Sequence, residues 1–261
     1  MKSLLFEITD LAFKAGEEIL KVYSSGDFGT TYKEEGSPLT VADKKAHEVI
    51  AKGLSSITPH LPVLSEESKV EGYEVRKHWK RFWIVDPLDG TKEFIRRNGE
   101  FTVNIALIEG NEAILGVVFA PVLGVCYLAA RGEGAFKVKN GFQERIRASG
   151  YKNGPLKVVA SRSHRGPELE AFLDRLAGAE FVNMGSSLKL CLVAEGAAHL
   201  YPRFGPTMEW DTAAAQCVVE EAGGSVKDMK GRRLQYNKED LLNHYFIAAG
   251  NPPFPWEKYL N

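Results

Sequence analysis

WIVDPLDGTKEFI, residues 83–95, is an apolar run that meets two carboxylates within a few residues. The apolar part is typical of a buried strand, and Asp86 and Asp89 follow it with two residues between them. Pro87 cannot donate to a strand ladder and keeps Asp86 extended, while Gly90 permits a tight turn. We therefore expect the strand to end near Asp86 and a turn to bring both carboxylates around one point.

Two carboxylates at one point are compatible with an ordinary turn or with a metal site. Asp89-Gly90 is common turn chemistry, and an isolated DxxDG pattern is more often a turn than a site. Two carboxylates held close together repel each other unless a cation lies between them or one takes up a proton. The turn also directs the Leu88 carbonyl and the N–H groups of Gly90 and Thr91 into the same space. The stretch alone leaves both interpretations open.

Carboxylates elsewhere in the chain favour the metal site. The stretch LSEES places Glu66 at another predicted strand end, and EWDTAAAQCVVEEAGG places Asp211 at a predicted helix start. Taken singly, Glu66 is equally a solvated loop charge and Asp211 is equally an N-cap. An all-oxygen set of this kind suits Mg²⁺ better than zinc or copper. The set consists of Glu66, Asp86, the Leu88 carbonyl, Asp89 and Asp211.

Length and composition indicate a globular protein without a nucleic-acid partner. A chain of 261 residues buries a sizeable core, in one large domain or in two lobes. Lys+Arg at 33 against Asp+Glu at 34 does not favour a face for nucleic acid or membrane. Three scattered cysteines argue against a disulfide framework or a structural zinc site. Because acidic residues interrupt the first apolar run and no stretch is long enough to span a bilayer, we expect a cytoplasmic protein.

Apolar periodicity predicts helices at the start of the chain and strands after them. Residues 3–24 repeat with helical spacing, a loop or short hairpin follows, and Thr40 with Asp43 has the capping-box spacing of a second helix. Gly and Asn then punctuate a series of strands typical of an antiparallel meander, and the last part of the chain alternates strands and helices. We predict an α/β (α+β) fold with two lobes. Lobe 1–150 has helices on an antiparallel sheet and carries most of the metal ligands. Lobe 151–261 is a smaller α/β unit that carries the substrate-binding residues and the last metal ligand.

The motifs and their order resemble those of the inositol monophosphatase superfamily. DPxDGT after a strand, with paired glutamates before it and WDTAA and EAGG after it, has this family's order from Asp43 to Gly224. DPLDGTKEFI, SRSHR (161–165), GSSLK (185–189) and YPRFGPTMEWD (201–211) are similar to the CysQ-type 3′(2′),5′-bisphosphate nucleotidase branch. The resemblance implies a layered αβαβα sugar-phosphatase-like fold and a Mg²⁺-dependent phosphomonoesterase.

The resemblance assigns metal ligands residue by residue. It implies that Glu66, Asp86 and the Leu88 carbonyl hold one Mg²⁺, and that Asp86, Asp89 and Asp211 hold a second, with Asp86 bridging. A weaker third ion would lie at Glu66. By the same resemblance Mn²⁺ substitutes for Mg²⁺ and Li⁺ inhibits. The family mechanism is in-line attack on phosphorus by a metal-activated water.

The resemblance also implies which residues activate the water and hold the phosphate. Thr91 and Asp43 would orient the attacking water, with Glu66 as the third catalytic residue. Asp43 is also the predicted capping partner of Thr40, and the two roles are compatible. The N–H groups of Gly90 and Thr91 would cradle the phosphate, more strongly if a helix begins just after them.

Residues of the second lobe are implied to bind the leaving group. A bisphosphorylated nucleoside carries a further phosphate that the metals do not reach, so it requires cations elsewhere. His164, Lys189 and Arg203 match the nucleotide-binding positions of the branch. From the sequence alone Lys189 is equally a residue of a solvated helix face, and Arg203 one of a surface loop. Gly185 and Ser186, at a predicted strand-to-helix turn, offer N–H groups to an anion.

These resemblances imply hydrolysis of the 3′-phosphate of 3′-phosphoadenosine 5′-phosphate to AMP and phosphate, with the 5′-phosphosulfate form as a further substrate. Asp211 would contact this substrate as well as a metal. The alternative within the family is an inositol monophosphatase or fructose-1,6-bisphosphatase, and outside it a catalytically silent nucleotide-binding module. The complete carboxylate set argues against the silent module. The expected partner is a small phosphorylated molecule, bound by a monomer or homodimer.

Overall fold

The computed structural model describes residues 1–33, 38–161 and 166–260. Within these ranges the helices α1 to α7 span Lys2–Ser25, Val41–Ile57, Tyr73–Arg76, Thr91–Ile95, Pro167–Asp174, Leu188–Ala194 and Glu209–Glu221. The strands β1 to β14 span Thr31–Tyr32, Pro38–Leu39, Val63–Ser65, Arg81–Asp89, Thr102–Glu109, Glu112–Ala120, Val125–Ala130, Gly134–Lys139, Phe142–Ile146, Lys157–Ser161, Glu180–Met184, Leu200–Arg203, Ser225–Asp228 and Phe246–Ala249. A short 3₁₀ helix spans Trp256–Tyr259.

The helices α1 and α2 pack against each other and form the first layer of the fold. Ile8, Ala15 and Ile19 of α1 are fully buried at helical spacing, which accounts for the predicted amphipathic pattern. The predicted capping box begins α2, because the main-chain N–H and the hydroxyl of Thr40 donate to Asp43 Oδ2 at 2.7 and 2.5 Å. Both predicted helices are confirmed.

The second layer is a seven-stranded sheet with the strand order β3-β4-β5-β6-β7-β8-β9. β3 is parallel to β4, and each later pair is antiparallel. The predicted meander corresponds to β5 to β8, and β4 and β9 extend it by one antiparallel strand on each side. One face of this sheet packs on α1 and α2. The parallel pair matters for the site, because both of its strands carry carboxylates at their carboxyl ends.

The helices α6 and α7 form a middle layer between the first sheet and a second, five-stranded sheet. The second sheet has the order β11-β10-β12-β14-β13, with β10 parallel to β11 and β12 and with β14 antiparallel to its neighbours. Phe172 of α5 and Trp256 of the 3₁₀ helix cover its outer face. The layers therefore run αβαβα, and the predicted fold class is confirmed.

The apolar core between the two sheets joins both halves of the chain. Ile84 of β4, Val159 of β10 and Val218 of α7 belong to this one buried cluster. The division into lobes at residue 150 stays a prediction. None of the described helices combines the length and the apolar composition that a bilayer crossing requires. The cytoplasmic location and the monomeric or homodimeric state also stay predictions.

Candidate active site

The course of β4 corrects the prediction that this strand ends near Asp86. Asp86 lies opposite Asn104 and Asp89 lies opposite Thr102, so the two residues between them on β4 face a single residue of β5 in a bulge. In a regular strand residues three apart point to opposite faces, but the extra residue places both carboxylates on the face that Asn104 and Thr102 share. Pro87, which has no N–H to donate, occupies the bulge. A bulge inside the strand therefore makes the two aspartates converge.

Three carboxylates from three elements meet beside this bulge. One oxygen each of Glu66, Asp86 and Asp211 lies within 4.8 Å of the others. Glu66 directly follows β3, and its N–H donates to the Val85 carbonyl of β4 at 3.2 Å. Asp211 lies in the first turn of α7 and accepts the Met208 N–H at 2.8 Å. Carboxylate oxygens in this arrangement are hard donors of the kind that Mg²⁺ prefers.

Burial raises the pKa of all three carboxyls, and the charge of a neighbouring carboxylate adds to each shift. Removal from water, followed by the charges of Glu66 and Asp89, holds the pKa of Asp86 well above its usual value. Removal from water and the charge of Asp89 also hold the pKa of Asp211 well above its usual value. Burial raises the pKa of Glu66 as well, although Lys33 opposes the shift. A divalent cation among these carboxylates would relieve the repulsion, so the donor set fits such an ion.

Lys33 supplies a positive charge at the edge of this group. Its Nζ lies 2.7 Å from Glu66 Oε1 and 2.7 Å from Glu67 Oε1. Burial opposes the charged form, but the hydrogen bonds and charges of the two glutamates raise the pKa of Lys33 above its usual value. Lys33 lies in the stretch for which the sequence predicts a loop or short hairpin, and no contact was predicted for it.

Asp89 contacts the turn between β11 and α6. Its Oδ2 accepts hydrogen bonds from Ser186 Oγ at 2.6 Å and from the N–H and Oγ of Ser187, each at 2.7 Å. The Gly185 N–H donates to Glu100 Oε2 at 2.8 Å. The turn that was predicted to bind a substrate anion thus contacts two carboxylates of the chain itself. A role of Gly185 and Ser186 in substrate binding stays a prediction.

Thr91 and Asp43 lie in contact at the start of α4. The Thr91 hydroxyl is 3.3 Å from Asp43 Oδ1 and 3.4 Å from the Leu88 carbonyl oxygen. Burial raises the pKa of Asp43 to about 6, although the hydrogen bonds from Thr40 favour the ionised form. The carboxylate is therefore held between the capping threonine on one oxygen and the Thr91 hydroxyl on the other. Capping and contact with Thr91 coexist, as the sequence analysis allowed.

A cavity of about 280 Å³ extends from the carboxylates to two cations. Glu66 and Asp211 line one part of it, and Lys189 and Arg203 line another. Lys189 is 8% exposed and Arg203 is 9% exposed. These values exclude the alternatives of a solvated helix face for Lys189 and a surface loop for Arg203.

The two cations differ in how their donors are used. Lys189 Nζ donates to the Ser186 carbonyl at 2.6 Å, and burial lowers the pKa of this lysine to about 8. Arg203 Nη2 donates to the Pro206 carbonyl at 2.8 Å. In the described part of the chain, Arg203 Nε is the one buried side-chain nitrogen or oxygen with no hydrogen-bond partner. Because an unsatisfied buried donor costs free energy, this nitrogen fits an acceptor supplied by a ligand.

A model of the inositol monophosphatase family matches residues 1–259. The chain belongs to the inositol monophosphatase family. It is 51% identical over 248 residues to the Escherichia coli K12 protein named 3′(2′),5′-bisphosphate nucleotidase CysQ, covering 94% of this chain and 99% of that one.

Two solved structures show the same relationship. The crystal structure of CysQ from Bacteroides thetaiotaomicron, described as a bacterial member of the inositol monophosphatase family, is 45% identical with a TM-score of 0.85. The match covers 95% of this chain and 97% of the Bacteroides chain. The Thermotoga maritima IMPase is 28% identical with a TM-score of 0.78, covering 95% and 92%. The predicted resemblance to the family and to its CysQ-type branch is confirmed.

The structure of this family member brings most of the predicted site residues together. His164 lies outside the described residues. The predicted residues that line the cavity are Glu66, Asp89, Gly90, Thr91, Gly185, Ser186, Lys189, Arg203 and Asp211. Asp43 and Leu88 contact Thr91, and Asp86 lies against Glu66 and Asp211. The part that each residue plays in catalysis or binding stays a prediction.

Sequence reasoning missed Lys33 and Ser187. Ser187 is the residue before α6, and its position in GSSLK, just ahead of an apolar helix, was a usable signal because serine favours N-cap positions. No comparable signal pointed to Lys33, whose partners lie more than thirty residues away in the chain.

Proposed function

We propose that the protein is a Mg²⁺-dependent phosphomonoesterase that removes the 3′-phosphate of 3′-phosphoadenosine 5′-phosphate, giving AMP and phosphate. Support comes from the relatives named 3′(2′),5′-bisphosphate nucleotidase, which are about half identical over nearly the whole chain. It also comes from a cleft that has carboxylates in one part and buried cations in another. The 5′-phosphosulfate form of the nucleotide is a further substrate within this proposal.

The observation that carries the nucleotide assignment is the unpaired Arg203 Nε beside Lys189. A substrate with a single phosphate, once that phosphate lies at the carboxylates, leaves this buried donor without an acceptor. A bisphosphorylated nucleoside has a second phosphate for it. Hydrogen bonds between charged partners contribute about 1.5–3 kcal/mol each, enough to discriminate between the two kinds of substrate.

The carboxylates would hold the metal ions. Glu66, Asp86 and the Leu88 carbonyl form the first proposed site, and Asp86, Asp89 and Asp211 form the second. A third, weaker ion at Glu66, substitution by Mn²⁺ and inhibition by Li⁺ belong to the same proposal. When bound, such ions act as Lewis acids and lower the pKa of water at the reacting phosphate.

Thr91 and Asp43 would orient the attacking water. Because Thr40 fixes one oxygen of Asp43, the other oxygen is a stationary acceptor for the Thr91 hydroxyl. With its pKa at about 6, the Asp43 carboxylate is mostly ionised at neutral pH and able to accept. The hydroxyl can then accept a hydrogen bond from the water while it donates its own proton toward Asp43.

A substrate panel with purified protein and Mg²⁺ tests this proposal. The panel contains 3′-phosphoadenosine 5′-phosphate, its 5′-phosphosulfate form, inositol 1-phosphate and fructose 1,6-bisphosphate, and phosphate release is measured. We expect kcat/KM to be at least about tenfold higher for the bisphosphorylated nucleotide than for inositol 1-phosphate, as one charged hydrogen bond would give. Faster release from inositol 1-phosphate would overturn the nucleotide assignment and leave the phosphatase assignment in place.

The variant Asp89→Asn separates an enzyme from a catalytically silent nucleotide-binding module. Loss of one negative ligand should lower Mg²⁺-dependent phosphate release and raise the Mg²⁺ concentration required for half of the maximal rate. An unchanged rate and an unchanged Mg²⁺ dependence would contradict the second metal site. Absence of any Mg²⁺-dependent phosphate release from the wild-type protein would contradict the enzyme itself.

A further inference from the structure

Arg76 is a buried cation whose donors go to main-chain and amide oxygens. It is 2% exposed, and its Nε donates to the Glu71 carbonyl at 2.8 Å. Its Nη1 donates to Asn237 Oδ1 at 2.9 Å and to the Lys238 carbonyl at 3.1 Å, and its Nη2 donates to the Glu239 carbonyl at 3.2 Å. Asn237 Nδ2 returns a hydrogen bond to the Arg76 carbonyl at 2.7 Å. The segment after Glu66 is thereby fastened to residues 237–239.

Glu209 holds the same residues from the other side. It is fully buried, and its Oε2 accepts the Asn237 N–H at 2.7 Å. Its Oε1 accepts the Lys238 N–H at 2.9 Å and Lys238 Nζ at 2.6 Å. Glu209 is the first residue of α7 and lies two positions before Asp211. We call Arg76, Asn237, Lys238 and Glu209 the brace.

Strand pairing fixes the relative positions of only two of the three carboxylates. Glu66 and Asp86 are aligned by the parallel pairing of β3 with β4 and by the hydrogen bond from the Glu66 N–H to Val85. Asp211 comes from a helix of another layer, so no strand pairing sets its distance from the other two. α7 packs against β4 and β5, and Ser187 Oγ donates to the Asp211 carbonyl at 2.8 Å. Repulsion among the three carboxylates still favours movement of the first turn of α7 away from Glu66, and a further restraint would oppose this movement.

We propose that the brace is a positioning device that holds Asp211 at its distance from Glu66, and so sets the metal affinity of the site. The proposal rests on the metal-dependent function proposed above. Arg76 is tied to the chain that leaves Glu66, and Glu209 is tied to the helix start that carries Asp211. Both meet at Asn237 and Lys238, so movement of Asp211 away from Glu66 breaks hydrogen bonds of the brace. Neither Arg76 nor Glu209 lines the cavity.

The test is the Mn²⁺ affinity of the intact protein without substrate, measured by isothermal titration calorimetry. Arg76→Met keeps an unbranched apolar side chain at this position and removes the donors to residues 237–239. We expect the Mn²⁺ Kd to rise about tenfold or more, the range seen when residues behind metal ligands are replaced. We also expect the Mg²⁺ concentration for half-maximal phosphate release to rise in parallel, while the rate at saturating Mg²⁺ stays within about threefold of wild type.

A second variant and a control guard against simple loss of stability. Asn237→Gly removes both side-chain bonds to Arg76 and keeps the main-chain N–H that Glu209 accepts. Glycine also tolerates the φ of 64° at this position, so the variant adds no backbone strain. Glu220→Gln is the control: this half-buried carboxylate of α7 pairs with Arg233 and lies about two and a half turns along the helix from Asp211. All three changes are expected to lower the melting temperature, but Glu220→Gln should leave the Mn²⁺ Kd within about twofold of wild type.

Two results would overturn the brace, and they are distinguishable. If Arg76→Met and Asn237→Gly lower the melting temperature yet keep the wild-type Mn²⁺ Kd, as Glu220→Gln does, the brace is only structural. If the wild-type protein and Asp86→Asn bind Mn²⁺ equally, the metal site itself is wrong, and the proposed function fails together with the brace.

Discussion

The two ends of the cleft are assembled from different sheets and have opposite charge. At the acidic end, Glu66 and Asp86 belong to neighbouring strands of the seven-stranded sheet, and the start of α7 adds Asp211. At the cationic end, Lys189 comes from α6 and Arg203 from β12 of the five-stranded sheet. The acidic end holds like charges that a cation would stabilise, whereas the cationic end holds a buried donor that an anion would satisfy.

The difference between the ends separates two functions that a phosphatase acting on a bisphosphorylated substrate combines. The acidic end can hold metal ions at the phosphate that is cleaved, and its geometry depends on sheet register and on the bulge of β4. The cationic end can recognise a phosphate that is retained, through side chains whose charges are already buried. Substitutions at the two ends should therefore affect different kinetic constants, and each prediction below tests this separation.

The largest effect is expected from Asp86→Asn at the acidic end. Loss of the carboxylate shared by both proposed metal sites should lower kcat by about 10³-fold or more, since bound metals contribute several kcal/mol to transition-state stabilisation. In metal-free buffer the melting temperature should rise, because one of several repelling buried carboxylates becomes neutral. Kinetic assays and thermal melts with and without Mn²⁺ measure both effects.

Asp10→Asn is the matched control for Asp86→Asn, because it removes an exposed carboxylate that pairs with Lys14 on α1. This control should change neither kcat nor the stabilisation by Mn²⁺. An Asp86→Asn protein that Mn²⁺ still stabilises as much as wild type would place the metal elsewhere and remove the basis of the comparison between the two ends.

The next largest effect is expected from Arg203→Met at the cationic end. The KM for 3′-phosphoadenosine 5′-phosphate should rise about 30-fold, as expected for one lost charged interaction. The KM for inositol 1-phosphate should change by less than about threefold, because this substrate has no second phosphate. Arg232→Met, which alters an exposed arginine paired with Asp228, is the control. Equal losses for both substrates would show that Arg203 supports the cleft without recognising the retained phosphate.

Local features of the site were predictable from the sequence, whereas the bulge that brings Asp86 and Asp89 together was not. The contact of Thr40 with Asp43 spans three residues, so spacing alone identified it. The convergence of Asp86 and Asp89 was also predicted, but by a terminal turn. A proline without an N–H is compatible with a turn or with a bulge, and only the register against Asn104 decides between them.

Contacts between distant parts of the chain were beyond the sequence for a different reason. Lys33 pairs with Glu66 and Arg76 pairs with Asn237 only because the fold places separate segments side by side. The burial of Lys189 likewise depends on two sheets that enclose α6 from both sides. The polarity pattern of a helix of seven residues does not reveal such an enclosure.

The two ends also predict opposite limbs of the pH–rate profile. Asp43 must be ionised to accept from Thr91, so kcat/KM should fall as the pH drops below about 6. Lys189 must be protonated to bind the retained phosphate, so kcat/KM for the bisphosphorylated nucleotide should fall as the pH rises above about 8. Rates measured from pH 5 to 9 with this nucleotide and with inositol 1-phosphate separate the limbs.

Each limb has its own decisive variant. At saturating Mg²⁺, which keeps the metal-binding carboxyls ionised, Asp43→Asn should lower kcat/KM and flatten its acid limb for both substrates, because an amide does not titrate in this range. Lys189→Arg should move the alkaline limb beyond pH 9 for the nucleotide, because a guanidinium stays protonated there. An alkaline limb of equal size with inositol 1-phosphate would contradict its assignment to the cationic end.

The smallest effect is expected from Lys33→Met, which removes a cation that contacts Glu66 and Glu67 at the acidic end. Its ammonium and a metal ion compete for Glu66 Oε1, so the variant should bind Mn²⁺ about two- to threefold more tightly, the scale of a partly exposed ion pair. In metal-free buffer the same change should lower the melting temperature, since Glu66 and Glu67 lose their shared counter-charge. Lys21→Met, at an exposed ion pair with Glu18, is the control. Weaker Mn²⁺ binding by Lys33→Met would mean that the lysine orients Glu66 for the metal and does not compete with it. The acidic end would then require a cation from its own chain, whereas the cationic end requires an anion from its ligand.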